Sequence, residues 1–181
     1  MLAQEAAAQF GLGRVVLVPT GRAPHRRIPD DPGAEVRLEL ARAAASDGAV
    51  AVEDFEVEQA RRSEEPSYTY RTLEALTEQG NDDLVWIMGA DAAADLGQWR
   101  NPERILELAR IAVARRAGID RAVVDRALER LGGSGRAEFL DMPEIGVSST
   151  LVRARIAQRR PVRYLVPDAV AALIASRGLY A

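Results

Sequence analysis

The chain has 181 residues, 48% of them hydrophobic and 28% charged, with a formal net charge of −3; that length supports one core of ordinary size, and a single globular domain is expected. With no cysteine and one histidine, disulfides, Cys-zinc sites, thiol nucleophiles and multi-His metal clusters are excluded, and a reducing, cytoplasmic setting is expected. No apolar run approaches the ~20 residues of a membrane span, no signal-peptide core opens the chain, and the mild negative charge argues against broad nucleic-acid binding.

Met1 to Phe10, rich in Ala and Gln and followed by Gly11 and Gly13, reads as a helix with a glycine stop. Val15-Val16-Leu17-Val18 is a short buried strand, broken by Pro19-Thr20-Gly21. A Pro- and Arg-rich loop, through Arg22, Pro24, His25 and Arg26 to Pro32, precedes a helix from about Glu35 to Ala45. Val50 to Val57 alternates apolar and acidic residues, the pattern of a strand nearer the sheet edge. Arg61 to Pro66 is a polar loop, and Ser67-Tyr68-Thr69 enters a helix that reaches about Gln79.

Leu84 to Met88 is an unbroken apolar run, too short for a helix and too uniform for a half-exposed strand, so a parallel strand buried on both faces is expected. Gly89 and Ala90 let the backbone turn, and Asp91 arrives at the strand's carboxyl end, where open α/β sheets bind ligands. Asn101 is a sound helix cap before Pro102 and a helix to Ala109. Ile111 to Ala114 is another strand, ended by Arg115-Arg116-Ala117-Gly118. Arg121 to Leu131 is amphipathic, with Val124, Leu128 and Leu131 on one side, and Gly132-Gly133-Ser134-Gly135 is a flexible connection. Phe139-Leu140 is a last strand, Ser148 or Ser149 caps a helix to about Ala157, and Pro167 begins a final helix to Ser176.

Strands alternating with helices imply an α/β fold, a Rossmann-like doubly wound sheet that is mostly parallel. The chain nevertheless opens on a helix. In the 3-2-1-4-5 order the first strand is central, so its absence leaves the strands at Val15 and Leu84 with unpaired central edges. Each buried amide or carbonyl left that way costs on the order of 1–3 kcal/mol, and the expectation is that the natural protein begins upstream of Met1.

Four segments carry candidate chemistry. Val18-Pro19-Thr20-Gly21 with Ala23-Pro24-His25-Arg26 places phosphate or carboxylate partners just after a buried strand, or is a proline-stiffened loop with an incidental histidine. Pro66-Ser67-Tyr68-Thr69 puts hydroxyls and free backbone N–H groups at a helix start, an anion site or an ordinary cap. Trp86 is most simply core. Trp99 follows the Gly89-Ala90-Asp91 turn, where stacking on a flat ligand and packing under the loop are the alternatives. In Ile145-Gly146-Val147-Ser148-Ser149-Thr150-Leu151-Val152-Arg153 an N-cap explains one hydroxyl, but three of them with Arg153 one turn on suit phosphates. All 24 basic residues are arginine, a phosphate-handling set or a GC-rich coding bias on a solvated surface.

Together these segments resemble the bacterial nicotinate mononucleotide adenylyltransferases, a branch of the nucleotidyltransferase α/β superfamily. The likeness runs in order over nearly the whole chain: Val-Pro-Thr-Gly-x-x-Pro-His, Pro-Ser-Tyr-Thr, Gly-Ala-Asp with a tryptophan eight residues later, Ser-Ser-Thr-x-x-Arg, and the ending from Val162 to Asp168 and through Gly178-Leu179-Tyr180. The resemblance implies adenylyl transfer from ATP to nicotinate mononucleotide in NAD biosynthesis, with magnesium accompanying ATP and no protein-ligated metal. It implies that Thr20, His25, Arg26, Ser67, Tyr68, Thr69 and Trp99 serve the acceptor, Tyr68 and Thr69 holding its carboxylate and Trp99 stacking on its pyridine ring. Gly89, Asp91, Ser148, Ser149, Thr150 and Arg153 would serve ATP. Oligomeric state stays open, a homo-oligomer included.

One departure stands out. The family's Gly-x-Phe-Asp-Pro-x-His-x-Gly-His signature, whose histidines stabilise the reacting phosphates, is absent, so no catalytic side chain is assigned beyond Arg153 as phosphate stabiliser. Missing motif and missing strand are one piece. The 181-residue chain is expected to be poorly folded or nearly inactive, and about twenty to thirty upstream residues, one strand and its loop, to restore it. The alternatives are a catalytically impaired nucleotide-binding paralogue, or a sister enzyme that uses pantetheine phosphate or nicotinamide mononucleotide.

Overall fold

One or more helices separate each pair of successive strands in the computed structural model, which describes residues 1–24, 31–115, 119–143 and 145–181. In chain order they are α1 (Leu2–Phe10), β1 (Val16–Leu17), α2 (Ala34–Ala44), β2 (Ala51–Val52), α3 (Phe55–Arg62), α4 (Thr69–Glu78), β3 (Leu84–Gly89), α5 (Ala90–Ala94), a single 3-10 turn (Leu96–Gln98), α6 (Pro102–Leu108), β4 (Ala109–Ala114), α7 (Arg121–Glu129), β5 (Ala137–Leu140), α8 (Ser149–Ala157) and α9 (Asp168–Arg177). The first compact unit comprises Met1–Gly13 and Tyr68–Glu144, the second Arg14–Ser67 and Ile145–Ala181. Among the described residues no helix is long and apolar enough to cross a membrane.

In the first unit β3, β4 and β5 form a parallel sheet in that order, with Trp86 opposite Ile111 and Ile111 opposite Ala137. Successive strand residues face opposite sides. Ile111 and Val113, with Met88 and the partly buried Trp86, join Leu73 of α4, Ala93 of α5, Ile105 of α6, and Val124 and Leu128 of α7. On the other face Ala112, with Val85, Ile87 and Ala114, meets Ala6, Leu2 and Phe10 of α1. Helices thus cover both faces, the doubly wound arrangement that βαβ connection produces. Left-handed Gly11 (φ 63) stops α1, and the Gln9 amide grips the Asp141 backbone, donating to its carbonyl at 2.7 Å and accepting its N–H at 2.9 Å.

Of the run expected to be buried on both faces, only Met88 is fully buried, and Leu84 to Ile87 are half-buried. The reason is that β4 is the only strand partner of β3 among the described residues. In the second unit β1 likewise pairs only with β2, in parallel, Val16 opposite Ala51 and Leu17 opposite Val52. The unpaired edges expected beside Val15 and Leu84 are therefore present among the described residues. Leu38 of α2, Val57 of α3, Val152 of α8, and Val170 and Ile174 of α9 supply the buried apolar side chains of this unit, and Arg177 of α9 bonds Glu39 of α2 at 2.7 Å.

Three local expectations differ from the structure. The alternation from Val50 to Val57 predicts a strand, but β2 ends at Val52 and α3 takes Phe55–Arg62, including the start of the expected polar loop. Neighbouring Glu56 and Val57 are both buried, which suits a helix whose inner face carries both and not a strand with one solvated side. Asn101 precedes α6 in a left-handed conformation (φ 51) and its side chain makes no cap bond; Asn tolerates that conformation better than most residues. The glycine stretch after α7 is a bonded turn, with the Gly133 N–H donating to the Leu128 carbonyl at 2.9 Å and Arg136 N–H to Gly133 at 3.0 Å. Finally, α6 ends at Leu108 and β4 begins at Ala109 with no residue between them.

Candidate functional site

Beyond β1 the chain makes the Val18-Pro19-Thr20-Gly21 turn, and three partners fix it, half-buried Arg37 and the buried Glu56 and Ser67. Arg37 of α2 donates from Nε and Nη2 to the Thr20 carbonyl at 3.0 and 2.8 Å, and from Nη2 to the Gly21 carbonyl at 3.0 Å. The buried Glu56 carboxylate accepts the Gly21 N–H at 3.4 Å. Ser67, also buried, accepts the Arg22 N–H on Oγ at 3.1 Å and donates its own N–H to the Arg22 carbonyl at 2.8 Å. The Ser67 hydroxyl thus holds the turn.

A cleft of about 700 Å³ opens beside this turn, and its wall includes Thr20, Arg37, Ser148, Ser149, Arg153 and Tyr180, over apolar Val152, Val170 and Ile174. Ser148 caps α8, its Oγ accepting the Leu151 N–H at 3.1 Å, so the positive end of the helix dipole faces this cleft. Arg153 makes no ion pair among the described residues. Hydroxyls, a helix start and an arginine without a carboxylate suit phosphate oxygens. Of the hydroxyl triplet, Ser148 and Ser149 line the cleft, whereas Thr150 is exposed and not on its wall.

Tyr180 reaches the cleft because left-handed Gly178 (φ 60) ends α9 and the Leu179 N–H returns to the Ile174 carbonyl at 3.0 Å, the reversal of a Schellman motif. Burial pushes the Tyr180 phenol above its ordinary value of 10.0, against Arg153, which pulls it down; Asp31 adds to the rise and Arg37 opposes it. The fold therefore holds this proton more tightly than the unfolded chain does. Its contribution to stability is complete below the unfolded value of about 10 and is lost as pH rises through the folded value. Thermal unfolding above about pH 10 should show a decline that Tyr180→Phe reduces; an unchanged alkaline slope would refute it.

In the first unit Tyr68 stands at the N-cap position of α4 in extended conformation, and no side chain caps the helix; the ordinary-cap alternative is not used. Tyr68 and Tyr70 stack at 6.1 Å between ring centres, and Thr69 is half-buried. At the end of β3 a Cβ on Gly89 would lie 2.7 Å from Asp91 Oδ1, so the exposed Asp91 carboxylate would have to shift to admit one. Gly89→Ala should displace that carboxylate while moving stability by no more than about 1 kcal/mol, read by thermal unfolding; a larger loss would mean that the strand end cannot yield.

Trp99 follows the 3-10 turn, half-buried against the sheet core, so packing under the loop takes part of its ring and leaves the remainder accessible. His25 and Arg26 lie outside the described residues, as do Arg116 to Gly118 and Glu144. Arg37, Glu56 and Tyr180 escaped sequence reasoning as site residues. Among 24 arginines nothing marks Arg37, and Glu56 read as the outward residue of a strand.

The family model of cytidylyltransferase-like proteins matches residues 1–155. A probable nicotinate-nucleotide adenylyltransferase of Roseiflexus sp. (strain RS-1) is 40% identical over 182 residues, spanning 99% of this chain and 88% of the relative. Among solved structures, the Plasmodium falciparum nicotinic acid mononucleotide adenylyltransferase complexed with APC superimposes with a TM-score of 0.72 at 13% identity, covering 99% of this chain and 88% of the other. The same protein complexed with NaAD gives 0.71 at 14% identity with the same coverage. At that identity the structural likeness speaks for the fold.

Proposed function

Because this chain belongs to the nicotinate-nucleotide adenylyltransferase family, we propose that it joins ATP to nicotinate mononucleotide, forming nicotinate adenine dinucleotide and releasing pyrophosphate. The observation that carries the reading for this chain is the cleft in which Ser148, Ser149 and Arg153 converge at the start of α8.

A phosphate oxygen of the acceptor attacks the α-phosphorus of ATP. The new P–O bond forms as the bond to the bridging oxygen breaks, and the electron pair leaves on pyrophosphate. The acceptor phosphate is already anionic, so no side chain need serve as nucleophile; alignment and charge stabilisation suffice. Arg153 and the α8 start hold the β- and γ-phosphates and meet the charge that grows on the leaving group. Thr150 joins them at the solvent side. Gly89 and Asp91 receive ribose or phosphate. Thr20, His25, Arg26, Tyr68, Thr69 and Trp99 serve the acceptor, and Ser67 serves it through the turn it holds. Magnesium enters with the ATP phosphates: the donors facing the cleft are mainly hydroxyl and guanidinium groups, which fit phosphate oxygens and not a cation. A cytoplasmic setting completes the reading.

Incubation with ATP and nicotinate mononucleotide, with products separated by chromatography, should yield dinucleotide and pyrophosphate in equal amounts. Parallel reactions with nicotinamide mononucleotide and pantetheine phosphate test the acceptor. ATP binding without product in any of them would replace the enzyme with a nucleotide-binding protein.

A further inference from the structure

We propose that Arg37 is a positioning residue of the cleft, a guanidinium that keeps the Thr20–Gly21 turn in shape and does not itself bind phosphate. The role of Thr20 rests on the adenylyl-transfer reading above. An arginine on the wall of an anion cleft is ordinarily a phosphate ligand. A guanidinium has five N–H donors, and in Arg37 four serve the protein: Nε and one Nη2 hydrogen go to the Thr20 carbonyl, the second Nη2 hydrogen to the Gly21 carbonyl, and one Nη1 hydrogen to the Asp31 carboxylate. Arg153, on the same wall, has no such commitments among the described residues. The two arginines therefore divide the work.

The arrangement needs this cation. The Thr20 and Gly21 carbonyls point their negative ends at one spot, and without a donor between them they would repel each other and lose their partners together. The same residue lines two cavities. Arg37 and Asp31 line the 700 Å³ cleft and also a second cavity of about 360 Å³ whose wall includes Gly21, Ala23, Val57 and Ala60. Displacing Arg37 would alter the shape of both.

The test compares Arg37→Met and Arg37→Lys in the full chain, by steady-state kinetics and by hydrogen exchange at single amides. In Arg37→Met the Gly21 and Arg22 amides should exchange at least tenfold faster, while the Leu151 amide under its Ser148 cap is unchanged. KM for nicotinate mononucleotide should rise about tenfold, with a smaller change in kcat. In a Thr20→Ala background the same substitution should cost much less, because both act through one turn. Lysine, a single point donor, should restore only part of either property. If Arg37→Met instead raises KM for ATP and weakens pyrophosphate binding with Gly21 exchange unaltered, Arg37 is a phosphate ligand and the proposal is overturned. It is overturned as well if Arg37→Lys behaves as wild type in both measurements, which also serves should the Met variant not fold. A wild-type chain that binds neither ATP nor nicotinate mononucleotide would instead sink the adenylyl-transfer reading, and the exchange measurement would still decide the positioning role.

Discussion

Gly21→Ala should strongly destabilise the second unit. A Cβ at residue 21 would lie 2.0 Å from the Glu56 carbonyl oxygen, 2.6 Å from its carbon and 3.0 Å from Ser67 Oγ. The two nearest atoms are backbone at the start of α3, so neither can rotate aside as a side-chain tip would. Relief requires α3 to move away from the turn, which breaks the Gly21 bond to Glu56 and disturbs Val57, fully buried beside it. Overpacking of this kind costs about 3 kcal/mol or more, against a total stability of roughly 5–15 kcal/mol. The corresponding fall in Tm is roughly 6–12 °C. Urea and thermal unfolding of the purified variant measure it, and a loss below about 1 kcal/mol would mean that α3 yields easily.

Arg153→Met should leave the fold intact and remove most of the activity. Its guanidinium makes no ion pair among the described residues, and α8 keeps its Ser148 cap, so Tm should stay within about 0.5 kcal/mol equivalent of wild type. The loss falls on the charge that develops as pyrophosphate departs, and one such donor is worth about a hundred- to a thousandfold in kcat. Lysine at this position should recover part of the rate, since it keeps the charge and loses the bidentate fork. An independent reporter, Tyr180, lines the same cleft. Arg153 lowers the Tyr180 pKa, so Arg153→Met should push that phenol still higher, as a spectroscopic titration would detect. Full activity with an unmoved phenol would remove Arg153 from the site.

What the sequence disclosed depended on how local each cause was. The helix stop at Gly11, the Ser148 cap and the apolar run into Gly89 are decisions of neighbouring residues, and all three stand in the structure. Ser148, Ser149 and Arg153 are close in the chain as well as in space, and the cleft joins them with Thr20. Val50 to Val57 misled because acidic residues normally mark the solvent side of a strand; Glu56 is instead drawn inward by the Gly21 N–H, a partner thirty-five positions away. Arg37 and Tyr180 were illegible for the same reason. Their roles come from carbonyls and charges that only the folded chain brings to them, and no periodicity records that.

The direct passage from α6 into β4 has a mechanical consequence. With no residue between Leu108 and Ala109, the rotation of the helix and the register of the strand are geared together. One residue added at this seam would turn Ile111 and Val113 from the face they share with Ile105 to the face that α1 covers, and bring Ala112 round in exchange. Length is usually the most freely varied property of a connection between elements, but at this seam it is locked by the packing of both sides of the sheet.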